Sequence, residues 1–168
     1  FSTFANNLIP TFPGGAVYQV LVRDRQQGTT APVSCTAAGA LGNWDSVHPQ
    51  ITSNGRYVAF TSGANNLAPG DNNVFMIADI IVRDLQTGVM TLATLSAFGV
   101  PSNGESLLPT ISADGRFVAF QTEATSLLPS DTNGSTQDVL WREVNALAMT
   151  SLCYPALDGV VPCPCSNP

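Results

Sequence analysis

The chain has 168 residues, enough for one ordinary domain with a buried core. Twelve acids stand against six basic residues, all of them arginine, for a net charge of −6; that argues against a nucleic-acid or anionic-membrane surface and leaves room for cations. Apolar residues make up 44% and charged residues 11%, so polarity rests on Asn, Ser, Thr and Gln, and 14 glycines with 12 prolines favour turns and short strands over helices.

In chain order, Ala5-Asn6-Asn7-Leu8 and Pro10 lead into a loop, and Val20–Asp24 is the first full strand-sized run. Gly28 marks a turn into Thr30–Cys35. Residues 48–52 form a short strand, and Ser53-Asn54-Gly55 a hairpin turn, because Gly accepts positive φ. Arg56–Ser62 is the next strand. A long polar loop follows, then Ile80–Asp84, a turn at Gln86-Thr87-Gly88, and Met90–Ser96. The order then recurs: residues 108–112, a turn at Ala113-Asp114-Gly115, Arg116–Thr122, a polar loop, Val139–Glu143 and Ala148–Cys153. No apolar run reaches the length of a membrane span. The start FSTFANN carries no basic and apolar leader, as a mature exported protein would also read.

A shift of sixty residues aligns PQITSNGRYVAF at 49–60 with PTISADGRFVAF at 109–120. The match continues through Ala64/Ala124, Leu67/Leu127, Pro69/Pro129, Asp71/Asp131 and Asn73/Asn133. After one deleted residue, Asp79–Asp84 aligns with Asp138–Glu143. At the N-terminus, Val20–Asp24 aligns with Ile80–Asp84, and Phe1 falls on Phe60. The first unit is thus expected to open inside a strand and to leave a sheet edge unpaired. Four antiparallel strands per unit make a propeller blade, and such blades share a core by stacking their faces.

The order S-A-D-G-R-F-V-A-F, then L-x-P-x-D-x-N, then D-x-x-x-R-D/E resembles the bacterial TolB-like, WD40-like propeller repeats of the PD40 type, in the long-loop variety of secreted proteins. The resemblance covers the chain to about Leu152 and implies an all-β fold of about two and a half to three blades. It divides the chain into a partial first blade with its connection at 1–47, a second blade at 48–107, a third at 108–153 and a Cys/Pro-rich tail at 154–168. A closed propeller has four or more blades, so a partial or assembly-completed propeller is expected. Such repeats serve binding and scaffolding and do not by themselves name an activity.

Four cysteines occur, at 35, 153, 163 and 165. The cluster of Cys153, Cys163 and Cys165 in a Pro-rich tail reads as disulfide chemistry in an oxidising compartment, secreted or at a bacterial cell surface. Zinc is the rival, but Cys163-Pro164-Cys165 is tighter than the usual ligand pair. Cys153 is expected to pair with Cys163 or Cys165, and Cys35 to be a buried thiol; four cysteines allow three full pairings.

Candidate chemistry centres on the long loop. DTNGSTQD at 131–138 offers oxygens at alternate positions, a Gly and a closing carboxylate, a pattern that suits Ca²⁺ through Asp131, Asn133, Ser135 and Asp138, with the Gln137 carbonyl. The second loop offers Asp71, Asn73 and Asp79 but carries Val74 and Phe75, so weaker binding is expected there. The first unit, with Thr11, Pro13 and Gln19, should not bind. The alternative is an Asx-turn loop whose Asp and Asn cap their own backbone, and the incomplete EF-hand pattern favours it. Asn133-Gly134-Ser135 is also a glycosylation triplet, of little weight in a bacterial-looking chain.

Asp45-Ser46 and Glu105-Ser106 precede the first strands, where their carboxylates would meet a ligand or, preferably, a neighbouring blade's backbone. His48 shares a strand face with Ser46 on simple alternation, yet its equivalent is Leu108 and no GxSxG elbow occurs. Arg23, Arg83 and Arg142 recur in each unit, which points to inter-blade ion pairs or backbone hydrogen bonds. Trp141, in the place of Val82, is expected in the core; Trp44 lies in a Gly-Asn loop, where an exposed aromatic would suit a sugar or protein contact.

These readings favour a non-enzymatic extracellular module that binds a protein, a glycan or copies of itself, without nucleic acid or membrane insertion. The alternatives are a structural subunit completed by strand pairing between chains and an accessory domain of a larger secreted hydrolase.

Overall fold

A computed structural model of the chain describes residues 1–5, 7–9, 17–71, 77–96, 98–129 and 131–144. These residues form ten strands and no helix, in three antiparallel sheets. The first sheet holds β1 (Ser2–Thr3), β2 (Gln19–Asp24) and β3 (Thr29–Pro32), in the order β1-β2-β3. The second holds β4 (Ser46–Ile51), β5 (Tyr57–Ser62), β6 (Asp79–Asp84) and β7 (Met90–Leu92), ordered as in the chain. The third holds β8 (Ser106–Ile111), β9 (Phe117–Thr122) and β10 (Asp138–Glu143). The expected all-β fold is therefore observed, as consecutive meandering sheets consistent with the blades of a partial propeller. The last expected strand, Ala148–Cys153, and the tail with Cys153, Cys163 and Cys165 lie outside the described residues.

Local chemistry sets the hairpins. Gly55 and Gly115 take φ of 71° and 75°, a region where a Cβ is disfavoured. Before each, an Asx side chain folds back: Asn54 Oδ1 accepts the Arg56 N–H at 3.0 Å, and Asp114 Oδ1 accepts the Arg116 N–H at 3.0 Å. The register of β5 on β6 pairs Tyr57 with Asp84 and Ser62 with Asp79. In β9 and β10 it pairs Phe117 with Glu143 and Thr122 with Asp138.

Two kinds of strand boundary differ from expectation by two residues or more. The β4 and β8 strands begin at Ser46 and Ser106, two residues early, because both serines are buried and bonded across the ladder. The Ser46 and Ser62 hydroxyls are 2.9 Å apart, as are those of Ser106 and Thr122. The other difference is in the fourth strands, which end early at Pro32 and Leu92. Beyond them a side-chain hydroxyl replaces a ladder carbonyl: Ser34 Oγ accepts the Val20 N–H at 2.9 Å, and Thr94 Oγ1 accepts that of Ile80 at 3.4 Å.

A third difference concerns His48. The ladder shifts register between Val47 and Gln50, and likewise between Leu107 and Thr110. Pro49 and Pro109 have no N–H to donate, and the residues before them, His48 and Leu108, take φ of 52° and 53°. This bulge breaks the alternation. Ser46 is buried while His48 is exposed, so the two do not share a face.

The core lies between the sheets. Alternation along β5 sends Val58 and Phe60 toward the first sheet, where they join Val20, Val33, Leu67 and Ile81. It sends Ala59 the other way, to join Ile80, Val82, Val118, Phe120 and Leu127. Each sheet therefore has a front face, carrying the residues at the Ile80 and Val82 positions, and a back face, carrying those at the Phe60 and Leu67 positions. Phe60 is wholly buried, and truncating such a residue to Ala costs about 3–5 kcal/mol.

Both tryptophan readings are corrected. Trp141 is 70% exposed, because its strand carries it onto the front of the third sheet and no described sheet covers that face. Trp44 is half-buried against the first core cluster, and its indole fills the space over Gly63, where a Cβ would stand 2.6 Å from Trp44 Cδ1.

Candidate functional site

The recurring polar residues meet at the ends and edges of the sheets. Asp79 is buried, and its Oδ1 accepts the Thr94 hydroxyl at 2.5 Å and the Ser102 hydroxyl at 2.9 Å. In the first sheet Gln19 takes that place: its Oε1 accepts the Ser34 hydroxyl at 2.6 Å and its Nε2 donates to the Gly42 carbonyl at 2.8 Å. A neutral amide and a carboxylate thus perform one structural task, tying β2 to the chain beyond β3 and β6 to the chain beyond β7.

Of the recurring arginines, Arg83 and Arg142 form backbone hydrogen bonds between sheets. Arg83 Nη1 donates to the carbonyls of Val33 at 2.7 Å and Cys35 at 2.6 Å in the preceding unit. Arg142 Nη1 donates to the Leu95 carbonyl. Arg23 is exposed and donates to Thr30 Oγ1 at 3.0 Å. Cys35 is a buried free thiol with its Sγ 3.0 Å from Arg83 Nη1.

A second arginine set clamps each hairpin. Arg56 Nη2 lies 2.8 Å from Asp84 Oδ2, and Arg116 Nε lies 2.5 Å from Glu143 Oε1. The Arg56 hydrogen bonds, helped by the N–H groups of Gln86 and Thr87 and opposed by burial, hold the Asp84 carboxyl at about 2. Asp114 is likewise held low, chiefly by the Ser112 hydroxyl and then by the Arg116 N–H.

The carboxylates before the inner strands diverge. Asp45 Oδ1 accepts the Tyr18 N–H at 2.6 Å, and Ser46 N donates to the Tyr18 carbonyl at 2.8 Å. Asp45 is thus bound to the backbone of the neighbouring unit. Glu105 is exposed, beside Glu123 and Gln137.

In the loop at 131–138, Asp131 Oδ1 accepts the Asn133 N–H at 3.0 Å, and Asn133 Nδ2 donates to Asp138 Oδ1 at 3.1 Å. Three of the four residues read as calcium ligands are thereby linked, and Ser135 is exposed beside them. Asp131 Oδ2 is buried with no hydrogen-bond partner among the described residues. In the second loop Asp71 and Asp79 are described, the latter already serving two hydroxyls, while Asn73 lies outside the described residues.

One unassigned feature among the described residues is apolar. On the front of the third sheet Val139 and Trp141 are 75% and 70% exposed, where Ile80 and Val82 of the second sheet are buried. Phe117 meets Trp141 edge to face at 5.5 Å between ring centres. With Ala119, Thr110 and Ile111 they line a shallow groove. The sequence held the signal for this surface, a Trp where the preceding units have Val22 and Val82, but position in a repeat says nothing of whether a neighbour covers it. Compared with known proteins, the chain matches no family model and no curated protein.

Proposed function

We propose that the chain is a non-enzymatic extracellular binding or scaffold module of the TolB-like, WD40-like repeat kind. One observation carries the reading: the third sheet offers an aromatic and apolar face built around the exposed Val139 and Trp141, with the half-buried Phe117 against the indole. Trp is the residue type most enriched where binding energy concentrates. The recurring polar groups support it as well, because Arg83, Arg142 and Asp45 are engaged in backbone contacts between units and Asp79 in bracing its own sheet. The test is a hydrolase screen of the folded chain against chromogenic esters, glycosides and peptides. No turnover above the blank is expected, and turnover that His48→Ala abolishes would replace this reading with a catalytic one.

Calcium binding at 131–138 is a second reading with its own observation, the buried Asp131 Oδ2 that has no hydrogen-bond partner among the described residues. A cation there would satisfy that oxygen, and a half-turn of the Asn133 amide would exchange its donor for an acceptor. Affinity in the range of extracellular modules, about 10⁻⁴–10⁻³ M, fits a site with two carboxylates.

A further inference from the structure

The chain contains the same face-to-face contact twice. The front of the first sheet, Val20 and Val33, meets the back of the second, Val58, Phe60 and Leu67. The front of the second, Ala59, Ile80 and Val82, meets the back of the third, Val118, Phe120 and Leu127. Among the described residues one front and one back remain without a facing sheet. The open front holds Val139 and Trp141. The open back holds Phe1 and Leu8, which are 51% and 42% exposed, whereas their equivalents Phe60 and Leu67 are buried. Ile9 and Leu41 already cover Leu21 on that back face.

We infer that the chain associates head to tail with a second copy of itself, the Val139–Trp141 face of one third sheet covering the Phe1–Leu8 face of its neighbour's first sheet. The inference rests on the binding reading above and names its partner. Continuity with the two internal contacts supports a copy over an unrelated partner. A front of this pattern is covered by a back of this pattern wherever both occur in the chain.

The arginine contacts point the same way. At each internal contact the arginine of the following sheet donates to a backbone carbonyl of the preceding unit, Arg83 to Val33 and Cys35, and Arg142 to Leu95. Arg23 holds that position on the first sheet and is exposed, so a copy stacked on that back face would offer it carbonyls as Val33 and Cys35 do for Arg83. Trp141 in place of Val fits an intermolecular contact, where a large aromatic anchor concentrates affinity. Because the two surfaces differ, association is heterologous and either closes into a ring or extends as a filament.

Sedimentation of the full chain with two exposed-site variants tests this. The wild type should sediment as multiples of 17.6 kDa, increasing with concentration until a ring closes. Trp141→Arg breaks the front, Leu8→Arg breaks the back, and each should weaken self-association about thirty-fold or more. An equimolar mixture of the two should form a dimer and nothing larger, since only one intact front and one intact back remain compatible. Far-ultraviolet circular dichroism and thermal midpoints confirm that the variants fold, with Trp141→Gln as a milder substitute for Trp141→Arg. A wild type that is monomeric at all concentrations overturns the inference, as does association that survives Trp141→Arg, or a Leu8→Arg variant that pairs with itself as well as the wild type does. A monomer without turnover in the hydrolase screen overturns this pairing alone and leaves the binding reading; turnover overturns that reading whatever the mass.

Discussion

The Tyr57 ring of the second sheet lies over Gly115, in the first hairpin turn of the third, so closely that a Cβ at residue 115 would stand 2.1 Å from Tyr57 Cδ2. Gly55 occupies the same turn one unit earlier with nothing within 4 Å of its own Cβ position. Both glycines have positive φ, so an added methyl costs either turn about 1–2 kcal/mol. At residue 115 the ring must also move, which adds about 1–3 kcal/mol of overpacking. Urea unfolding should therefore show Gly115→Ala losing clearly more stability than Gly55→Ala. Equal losses would mean that Tyr57 does not lock the second sheet to the third.

Arg83 joins two units through one guanidinium, with Val33 and Cys35 carbonyls as acceptors and the Cys35 thiol alongside. Arg83→Ala should cost about 2–3 kcal/mol, since a charge-assisted donor is lost to partly buried acceptors. Arg83→Lys should recover part of that loss, because an ammonium lacks the guanidinium fork. The same Ala variant should raise the rate at which a thiol reagent labels Cys35. A stability change within 0.5 kcal/mol, the range about typical of surface substitutions, together with an unchanged labelling rate, would remove the latch.

The Arg56–Asp84 clamp makes a pH prediction with a definite sign. Hydrogen bonds from Arg56 lead the causes that hold Asp84 at about 2, below its ordinary 3.8. A carboxylate depressed in the folded state contributes stability that is complete above its unfolded value and is lost as pH falls toward the folded one. The window is therefore from about pH 4 down to about pH 2. The wild-type urea midpoint should fall more steeply there than that of Asp84→Asn, which has no such proton to bind. Parallel curves for the two proteins would show that the clamp contributes nothing measurable.

Much of this architecture was legible because it is local. Asn54-Gly55 and Asp114-Gly115 announce their turns through backbone conformations that few residues accept, and the alternation in β5 shows two buried faces. Ser46 and Ser106 hid the true strand starts, because a buried hydroxyl pair looks like loop chemistry until its partners Ser62 and Thr122 are known. Pro49 and Pro109 recur in register, yet their bulge is set by a ladder partner and not by the dipeptide alone. Trp44 shows another limit. The indole lies over Gly63, and in the next unit the aligned positions hold Gly104 and Glu123, with a Cβ at 104 standing 2.9 Å from the Glu123 carbonyl oxygen. The fit of indole to glycine is written across two distant positions, so neither tryptophan nor glycine reveals it singly. Trp141 takes the place of Val82 in the repeat, yet it is exposed where Val82 is buried, because whether another sheet covers that face is a property of the assembly.

Calcium provides the last test, through the carboxylate oxygen at Asp131 that lacks a partner among the described residues. A ligand that binds only the folded chain stabilises it by mass action, about 1.4 kcal/mol at ten times the dissociation constant. For a domain of this size that corresponds to a rise of about 3–5 °C in thermal midpoint. Titration to about 10 mM Ca²⁺ should reach that rise if the affinity is that of extracellular modules. Asp131→Asn should abolish it, since it removes the charge while keeping an acceptor for the Asn133 N–H. Asp71→Asn should leave it intact, because the second loop carries Val74 and Phe75 in place of oxygen ligands. Magnesium at the same concentration should do less, as it resists giving up its water and demands a stricter geometry. A midpoint that does not move with Ca²⁺ in the wild type would reduce the loop to an Asx-turn whose side chains serve only their own backbone.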